Sequence, residues 1–166
     1  LPFYLKLLCE SYAATREIPW GRAALITGFV RWAFRRELEK REAFCLDPLL
    51  VAERTGRKLT QNRWKDPYEL PGGLPVKVLG DLAFYMQGQR DAAENGQVGL
   101  DHDEALDFLG EEHGKAVLGA GFALHVLVED SEDTVLFSHQ LIQEYFAARV
   151  FAMQPKVELL RVAWRA

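Results

Sequence analysis

Two short β-rich runs joined by a polar turn constrain the fold of this chain more than any other feature. Residues 124–129 and 134–137 are rich in Val, Leu and Phe, whereas the four residues between them are Asp, Ser, Glu and Asp. This pattern predicts a β-hairpin, with His125 as a half-exposed residue of the first strand. Residues 97–100 are predicted to form a further, very short strand. Since most of the remaining sequence has helical periodicity, we expect a mainly α-helical fold with a small β-sheet.

The predicted helices are bounded by residues that favour helix starts and ends. Asp101, followed three residues later by Glu104, forms a capping box, and Ser138 is the predicted cap of the last helix. Asn95 and Gly96 supply the left-handed conformation in which helices often end. In addition to the helix after Asp101, the predicted helices cover residues 2–15, 22–44, 76–94, 115–123 and 139–151.

The second of these helices has a basic face. An apolar stripe that includes Leu25, Ile26 and Val30 lies opposite charged residues at helical spacing: Arg31, Arg35, Arg36, Glu39 and Lys40. Because acidic residues are interleaved with the basic ones, we expect this face to be solvated or to contact a partner protein.

After residue 75 the elements follow the order helix, short strand, helix, helix, hairpin and helix. This is the order of a winged helix with an added helix. The expected fold class is thus mainly α, with a helical subdomain followed by a winged helix that carries a small β-hairpin or sheet. Winged helices occur in DNA-binding regulators and in protein-interaction modules, so the topology alone names no function.

The charge distribution divides the chain into two parts. The formal net charge is only -4, but residues 1–65 hold 13 Lys and Arg against 7 Asp and Glu, and the remainder holds 7 against 17. A Pro- and Gly-rich passage at residues 67–75 coincides with this change. We therefore predict a helical subdomain, a winged-helix subdomain and the start of a further helical segment, over residues 1–70, 71–153 and 154–166 respectively.

Composition places the chain among ordinary globular proteins. With 49% hydrophobic residues, it is too apolar for a disordered chain, and no run approaches the 18 consecutive apolar residues of a membrane-spanning helix. Cys9 and Cys45 lie in apolar helical contexts, which favours buried thiols in a reducing cytosol; a single bridge between them is the alternative. Both ends lie within a hydrophobic pattern and there is no initial Met, so we expect a piece of a longer protein.

The motifs of common enzyme and metal chemistry are absent from the sequence. It contains no GxxxxGK phosphate-binding loop, no GxGxxG, GxSxG or HExxH motif, and no cluster of Cys and His with zinc spacing. Residues 101–104 are acidic, but an EF-hand loop requires Gly where this chain has Leu106, so the capping box explains them better. We expect no catalytic residue and no metal ligand within the chain.

His139 is the strongest candidate for contact with a ligand. It lies in the first turn of the predicted last helix, where unpaired backbone N–H groups and the positive end of the helix dipole favour an anion. A histidine side chain can add a donor there, which suits a phosphate group. Gln143 and Phe146 continue the same face of the helix. The alternative is that His139 packs at the mouth of the hairpin and binds nothing.

Residues 137–149 carry a resemblance to a known family. Their sequence, Phe-Ser-His-Gln-Leu-Ile-Gln-Glu-Tyr-Phe-Ala-Ala-Arg, resembles the FxHxxxQEYFAA signature that closes the winged-helix subdomain of NACHT-type signal-transduction ATPases. That group includes animal NOD-like receptors and many bacterial defence proteins. Residues 1–9 resemble the helical subdomain after the nucleotide-binding core of the family. Three further segments resemble bacterial members in order and spacing: residues 80–84, 97–100 and 126–130.

The resemblance implies a regulatory role. In the family, a preceding NACHT core domain binds ADP or ATP with Mg²⁺, a proline of the helical subdomain contacts the adenine, and the winged-helix histidine touches the β-phosphate of ADP. By this resemblance, Pro2 would border the adenine and His139 would hold the phosphate in the closed state. The chain would be the ADP-sensing region of a cytoplasmic ATP-dependent switch, of the kind found in bacterial defence.

The resemblance also implies partners. They are the nucleotide, the preceding NACHT core and further copies of the protein after activation, with no nucleic acid and no membrane. The chain alone would not be an enzyme, because the Walker A and Walker B residues of the ATPase would lie in the preceding domain.

Two other functions agree with a winged helix. In a DNA-binding regulator, the recognition helix would be residues 115–123, which offer one base, Lys115, and no Arg, Asn or Gln for base edges. The surrounding residues 91–133 contain twelve acids and one base, so repulsion of the phosphates would weaken such binding. The other alternative is a protein-interaction module that binds no ligand.

Overall fold

The computed structural model describes residues 3–40, 51–89, 97–110 and 113–153. The helices in these ranges are α1 (Phe3–Thr15), α2 (Arg22–Lys40), α3 (Glu53–Gln61), α4 (Leu74–Gly88), α5 (His102–Leu109), α6 (Gly114–Ala123) and α7 (Gln140–Met153). The strands are β1 (Leu100–Asp101), β2 (Leu127–Glu129) and β3 (Thr134–Phe137). The chain is mainly α-helical with a small sheet, which confirms the predicted fold class.

The three strands form an antiparallel sheet in the order β1, β3, β2. Leu127 of β2 pairs with Phe137 of β3, and Leu100 of β1 pairs with Val135. With α4, α5 and α6 placed before and between the strands, this order is that of a winged helix whose wing is the β2–β3 hairpin. The predicted hairpin is confirmed, although its first strand begins at Leu127 rather than at residue 124.

Asp130 fixes the turn of the hairpin. Its Oδ1 atom accepts hydrogen bonds from the backbone N–H groups of Glu132, at 2.9 Å, and Thr134, at 3.1 Å. Asp favours such side-chain hydrogen bonds to the backbone in turns. The two bonds lower the pKa of the Asp130 carboxyl, since they stabilise its ionised form. The ionised carboxylate of Asp130 is therefore the form that accepts the hydrogen bonds of the hairpin turn.

The connection from α6 to β2 explains why the strand starts late. His125 adopts a left-handed conformation, with φ of 56°, and its N–H donates to the Phe122 carbonyl at 2.9 Å. The N–H of Val126 donates to the Gly121 carbonyl at 3.0 Å. These two hydrogen bonds form a Schellman motif that ends α6. The prediction that His125 lies in a strand is therefore wrong.

Replacing His125 by Gly is expected to raise the free energy of unfolding by up to about 1 kcal/mol. Glycine adopts the left-handed conformation without the steric cost of a Cβ atom, and the exposed His125 side chain contributes little packing. His125→Val is expected to lower the same free energy, because a β-branched residue is strained at this φ. Urea denaturation monitored by circular dichroism measures both changes. Equal stability of the three proteins would contradict the left-handed conformation assigned to His125 at the end of α6.

The hydrophobic core is built where α4 crosses α7. Gly80 permits the close approach of the two helices, because a Cβ atom at this position would lie 2.9 Å from Cγ2 of Val150. The buried cluster continues into α1 and α2 through Leu7, Val30 and Phe34. Residues on both sides of the predicted subdomain boundary at residue 70 thus contribute to one core.

Three helix boundaries bear on the sequence predictions. The fourth helix is described from Leu74 to Gly88; residues 90–96, which include its predicted end at residue 94 and the predicted terminating residues Asn95 and Gly96, lie outside the described residues. Asp101 caps α5 as predicted, because its side chain accepts a hydrogen bond from the N–H of Asp103 at 2.9 Å. Residues 41–44, the predicted end of the second helix, also lie outside the described ranges.

Cys9 is exposed on α1, so the expectation of a buried thiol is wrong for this residue. It lies on the same helix face as Leu5 and Tyr12, whose side chains are 42% and 46% exposed, and this face is turned away from the core. Cys45 lies outside the described residues. Among the helices that are described, none is long and apolar enough to cross a membrane.

Candidate functional site

The winged-helix hairpin places His139 at the start of α7. Phe137, the last residue of β3, is held in the sheet, and the N–H of Ser138 donates to the Val126 carbonyl at 2.8 Å. The carbonyl of His139 then accepts the N–H of Ile142 at 2.9 Å, which is a first hydrogen bond of the helix. His139 therefore lies at the junction between a fixed strand and the positive end of the α7 dipole.

His139, rather than Ser138, caps this helix. The N–H of Leu141 donates to Nδ1 of His139 at 3.1 Å, so the imidazole satisfies one of the unpaired donors of the first turn. The prediction that Ser138 is the cap is wrong, because its backbone is tied to the hairpin one residue too early and its side chain is exposed. A ring nitrogen that accepts a hydrogen bond carries no proton, which assigns the neutral tautomer with its proton on Nε2.

Phe3 of α1 fixes the plane of the imidazole. The two rings stack with their centroids 3.9 Å apart and an angle of 10° between their planes, and His139 is half-buried. Phe3 follows Pro2 in the sequence, and Pro2 itself lies outside the described residues. The stack therefore joins two segments that carry the family resemblance, one at the start of the chain and one at residues 137–149.

A groove of about 580 Å³ lies beside this stacked pair, between α1, α2 and the wing. Phe3 and Ser138 line it, together with Lys6, Phe29, Trp32, Arg36, Phe122, His125 and Glu129 among others, whereas His139 is adjacent to Ser138 and is not one of the lining residues. Its volume lies within the range of small-molecule sites, and its mixture of aromatic walls with a few charged groups is typical of such sites. The side chain of Lys6 is exposed.

Arg36 is held in this groove by contacts with three residues, two on its own helix and one at the end of α6. Its Nη2 atom donates to the carbonyl of Ala123, at the end of α6, at 2.8 Å, and its Nε atom donates to Glu37. The guanidinium also lies 4.9 Å from the ring centroid of Trp32. Arg36 thus connects the helical part of the chain to the winged helix. The prediction that this face is solvated or contacts a partner protein is therefore wrong for Arg36, although Arg35 and Glu39 of the same face are exposed.

The remaining residues of the 137–149 motif serve packing. Gln143 is fully buried, and its Nε2 atom donates to the Val98 carbonyl at 3.3 Å, while its Oε1 atom has no hydrogen-bond partner among the residues that the structure describes. The hydroxyl of Tyr145 lies 2.5 Å from that of Thr27 on α2. Phe146 is buried as well, so Gln143 and Phe146, one and two turns after His139, lie in the core and are not available to a ligand.

Sequence reasoning missed Phe3, Lys6 and Trp32 as residues of this region. A single Phe at the start of an apolar helix carries no signal of its own, and the stack depends on a residue at the other end of the chain. The pair Trp32 and Arg36, four positions apart on one helix, is a local signal of a cation-π contact and could have indicated that Arg36 is not solvated.

The helix that a DNA-binding winged helix would use as its recognition helix is α6. Its exposed positions are Lys115, Ala116 and Gly119, so Lys115 alone among them has a side chain that could contact a base edge or a phosphate. No cluster of three potential metal ligands occurs in the part of the chain that the structure describes.

Comparisons with known proteins find nothing similar to this chain: no family model, no curated protein and no solved structure matches it.

Proposed function

We propose that this chain is the nucleotide-sensing region of a NACHT-family ATP-dependent signalling switch, in which His139 donates a hydrogen bond to a phosphate of ADP. The observation that carries the proposal is the double constraint on the imidazole. Nδ1 accepts the N–H of Leu141 and the ring stacks on Phe3, so the proton on Nε2 is left as a donor in a fixed direction.

The surroundings of His139 suit an anionic ligand. The positive end of the α7 dipole favours negative charge, and Lys6 adds an exposed cation to the adjacent groove. The aromatic side chains of Phe29 and Trp32, which line the same groove, are suited to an aromatic base. Phosphate and base are the charged and the aromatic parts of a nucleotide, so the residues of the groove support ADP as the ligand.

The hydrogen bond between His139 and the phosphate would favour one of two conformations of the protein. A hydrogen bond to a charged group contributes about 1.5–3 kcal/mol, which shifts a two-state equilibrium about 10- to 150-fold. ADP would stabilise the closed state through His139, with Pro2 beside the adenine. Exchange for ATP would remove this preference and allow self-association.

The residues that hold Mg²⁺ and hydrolyse ATP would belong to a preceding core domain, which would be the main partner of this chain in the cytoplasm. ATP and Mg²⁺ supply the phosphoryl chemistry of the switch when bound to that domain. The acidic surface around α5 and the exposed residues of α6 argue against nucleic acid as a partner. A role in bacterial defence follows from the same family proposal.

A pair of substitutions at His139 tests the proposal in the complete protein. His139→Asn keeps a side-chain oxygen that can cap α7, but it removes the Nε2 donor and the aromatic stack. We expect this variant to lose about 1 kcal/mol of unfolding free energy with the stack and to lose most of the ADP that copurifies with the wild type. Nucleotide content is measured by chromatography of the heat-released supernatant.

His139→Ala serves as the matched control, since it removes the cap as well. We expect it to lose ADP to the same extent and to lose about 1 kcal/mol of unfolding free energy beyond the loss in His139→Asn. If both variants retained as much ADP as the wild type, His139 would have no role in nucleotide sensing, and a ligand-free interaction module would be the better description.

A further inference from the structure

The turn between α1 and α2 exposes two large apolar side chains. Ile18 is 70% exposed and Trp20 is 88% exposed, and we refer to residues 18–20 as the tip. An almost fully exposed Trp beside an exposed Ile leaves a large apolar area in water, which is the pattern of a contact surface rather than of a scattered surface residue.

The tip is held in one conformation. Arg16 and Gly21, on either side of it, adopt left-handed conformations with φ of 59° and 91°. The N–H of Arg16 donates to the Tyr12 carbonyl at 2.8 Å, and that of Gly21 donates to the Pro19 carbonyl at 2.9 Å. Pro19 restricts the backbone further. A pre-organised loop loses less conformational entropy when it binds, so the tip is suited to insertion into a partner.

A groove of about 490 Å³ on the winged helix has aromatic walls that suit an apolar tip. It lies between α4, α5 and α7, and we refer to it as the aromatic groove; its main lining residues are Asp81, Phe84, Tyr85, Phe108 and Val150. The rings of Tyr85 and Phe108 stack with their centroids 4.5 Å apart. Indole rings pack well against such aromatic walls.

The charges around the tip and the groove are partly complementary. Arg16 and Arg22 lie on either side of the tip and Glu17 lies next to Ile18, so the tip region keeps a net positive charge. Asp81 lines the groove, and Glu104, which accepts a hydrogen bond from Tyr85 at 3.3 Å, adds a second carboxylate to the groove side. A buried indole N–H also requires an acceptor, which these carboxylates supply.

We propose that the tip of one copy of this chain docks into the aromatic groove of a second copy, with the Trp20 side chain between the aromatic walls. The high exposure of Ile18 and Trp20 means that the tip does not occupy the groove of its own chain. The proposal goes beyond nucleotide sensing and does not depend on it, because neither surface includes a residue of the His139 site.

The docking is heterologous, since two different surfaces meet. An open assembly of such copies always has a free tip at one end and a free groove at the other. Association therefore continues beyond a dimer and gives rings or filaments. A buried Trp contributes about 250 Å² of contact, and interfaces below about 1,200 Å² are weak and transient. Self-association is therefore expected only at high concentration.

Two variants that each remove one surface test the docking. Trp20→Ala removes the tip side chain, and Phe108→Lys replaces a 39% exposed side chain of the groove with a cation that repels the two arginines. Analytical ultracentrifugation of the 166-residue chain without nucleotide, over roughly 10–500 µM, should show a weight-average mass that rises beyond the dimer for the wild type. Each variant alone should stay monomeric.

An equimolar mixture of the two variants is the decisive sample. Trp20→Ala retains a groove and Phe108→Lys retains a tip, so the mixture should give a heterodimer that grows no further. Tyr68→Ala, which truncates a 44% exposed aromatic residue outside both surfaces, and Phe108→Leu, which keeps the groove apolar, should associate as the wild type does. Far-UV circular dichroism checks that each variant is folded.

Three results would overturn the docking. The first is a monomeric wild type over the whole concentration range. The second is a wild-type assembly that Trp20→Ala leaves unchanged, and the third is an assembly that stops at a dimer, which would indicate a symmetric interface. Since no nucleotide is present, none of these results bears on the role of His139.

Discussion

Replacing Arg36 by Met is expected to lower the free energy of unfolding by about 3 kcal/mol. The side chain of Glu37 is only 3% exposed and accepts hydrogen bonds from Arg36 and from Lys40. Without Arg36, this buried carboxylate keeps only a partner that is itself 55% exposed. The carbonyl of Ala123 loses a donor as well. Methionine retains most of the aliphatic packing, so the loss reports on the polar contacts.

The pH dependence of stability distinguishes this explanation from a packing defect. Burial raises the pKa of Glu37, but hydrogen bonds from Arg36 and Lys40, together with their charges, outweigh it and leave the pKa below its usual value of 4.5. A carboxyl group whose pKa is lowered by folding stabilises the protein above its unfolded pKa, and this contribution is lost as the pH falls through the folded pKa.

The wild type is therefore expected to lose stability below pH 4.5, and Arg36→Met is expected to lose less over the same range because its Glu37 is no longer paired. Urea denaturation at a series of pH values measures both slopes. Glu37→Gln is the matched control, since it removes the charge and keeps the shape. Parallel pH profiles of the wild type and Arg36→Met would contradict the proposed role of the pair.

Replacing Arg31 by Ala is expected to cost about 2–3 kcal/mol of unfolding free energy. Its Nε atom donates to the Glu69 carbonyl at 2.7 Å and its Nη2 atom to the Asp66 carbonyl at 2.6 Å, while the guanidinium lies 4.3 Å from the ring centroid of Trp64. Arg31 therefore connects residues 66–69, which precede α4, to α2. Burial lowers the pKa of Arg31, and the charge of Glu69 opposes this effect.

Arg31→Lys separates charge from geometry. Lysine keeps the positive charge but cannot donate to two carbonyls from one planar group, so we expect it to recover less than half of the loss. Arg35→Ala is a suitable comparison, because Arg35 is an exposed residue of the same helix whose ion pair with Glu39 is also exposed. Its expected effect is within about 0.5 kcal/mol. Similar losses for Arg31→Ala and Arg35→Ala would contradict the assigned contacts.

The features that sequence predicted correctly are local ones. The wing follows from two β-rich runs around a polar turn, and Asp130 supplies the hydrogen bonds of that turn from within four residues. Asp101 caps α5 through the N–H of Asp103. In each case the residues that interact are neighbours in the chain, so their spacing alone carries the information.

The features that sequence reasoning missed depend on distant residues. Ser138 is the better helix cap by residue type. However, its N–H donates to the Val126 carbonyl across the hairpin, and His139 caps the helix instead. Arg31 and Arg36 have the helical spacing of a solvated face, yet their partners are the carbonyls of residues 66, 69 and 123. The stack of Phe3 on His139 joins the start of the chain to its last helix. No local pattern encodes these contacts.

The most direct test of the central claim is an NMR titration of the isotopically labelled chain with ADP, and with adenosine as the control without phosphate. Chemical shifts detect even weak binding, so the chain alone is sufficient. We expect the Leu141 amide and the Nε2 resonance of His139 to shift in a saturable manner with ADP and not with adenosine, while Nδ1 keeps the signature of an unprotonated nitrogen. Identical responses to ADP and adenosine, or no response at millimolar ADP, would contradict a phosphate contact at His139.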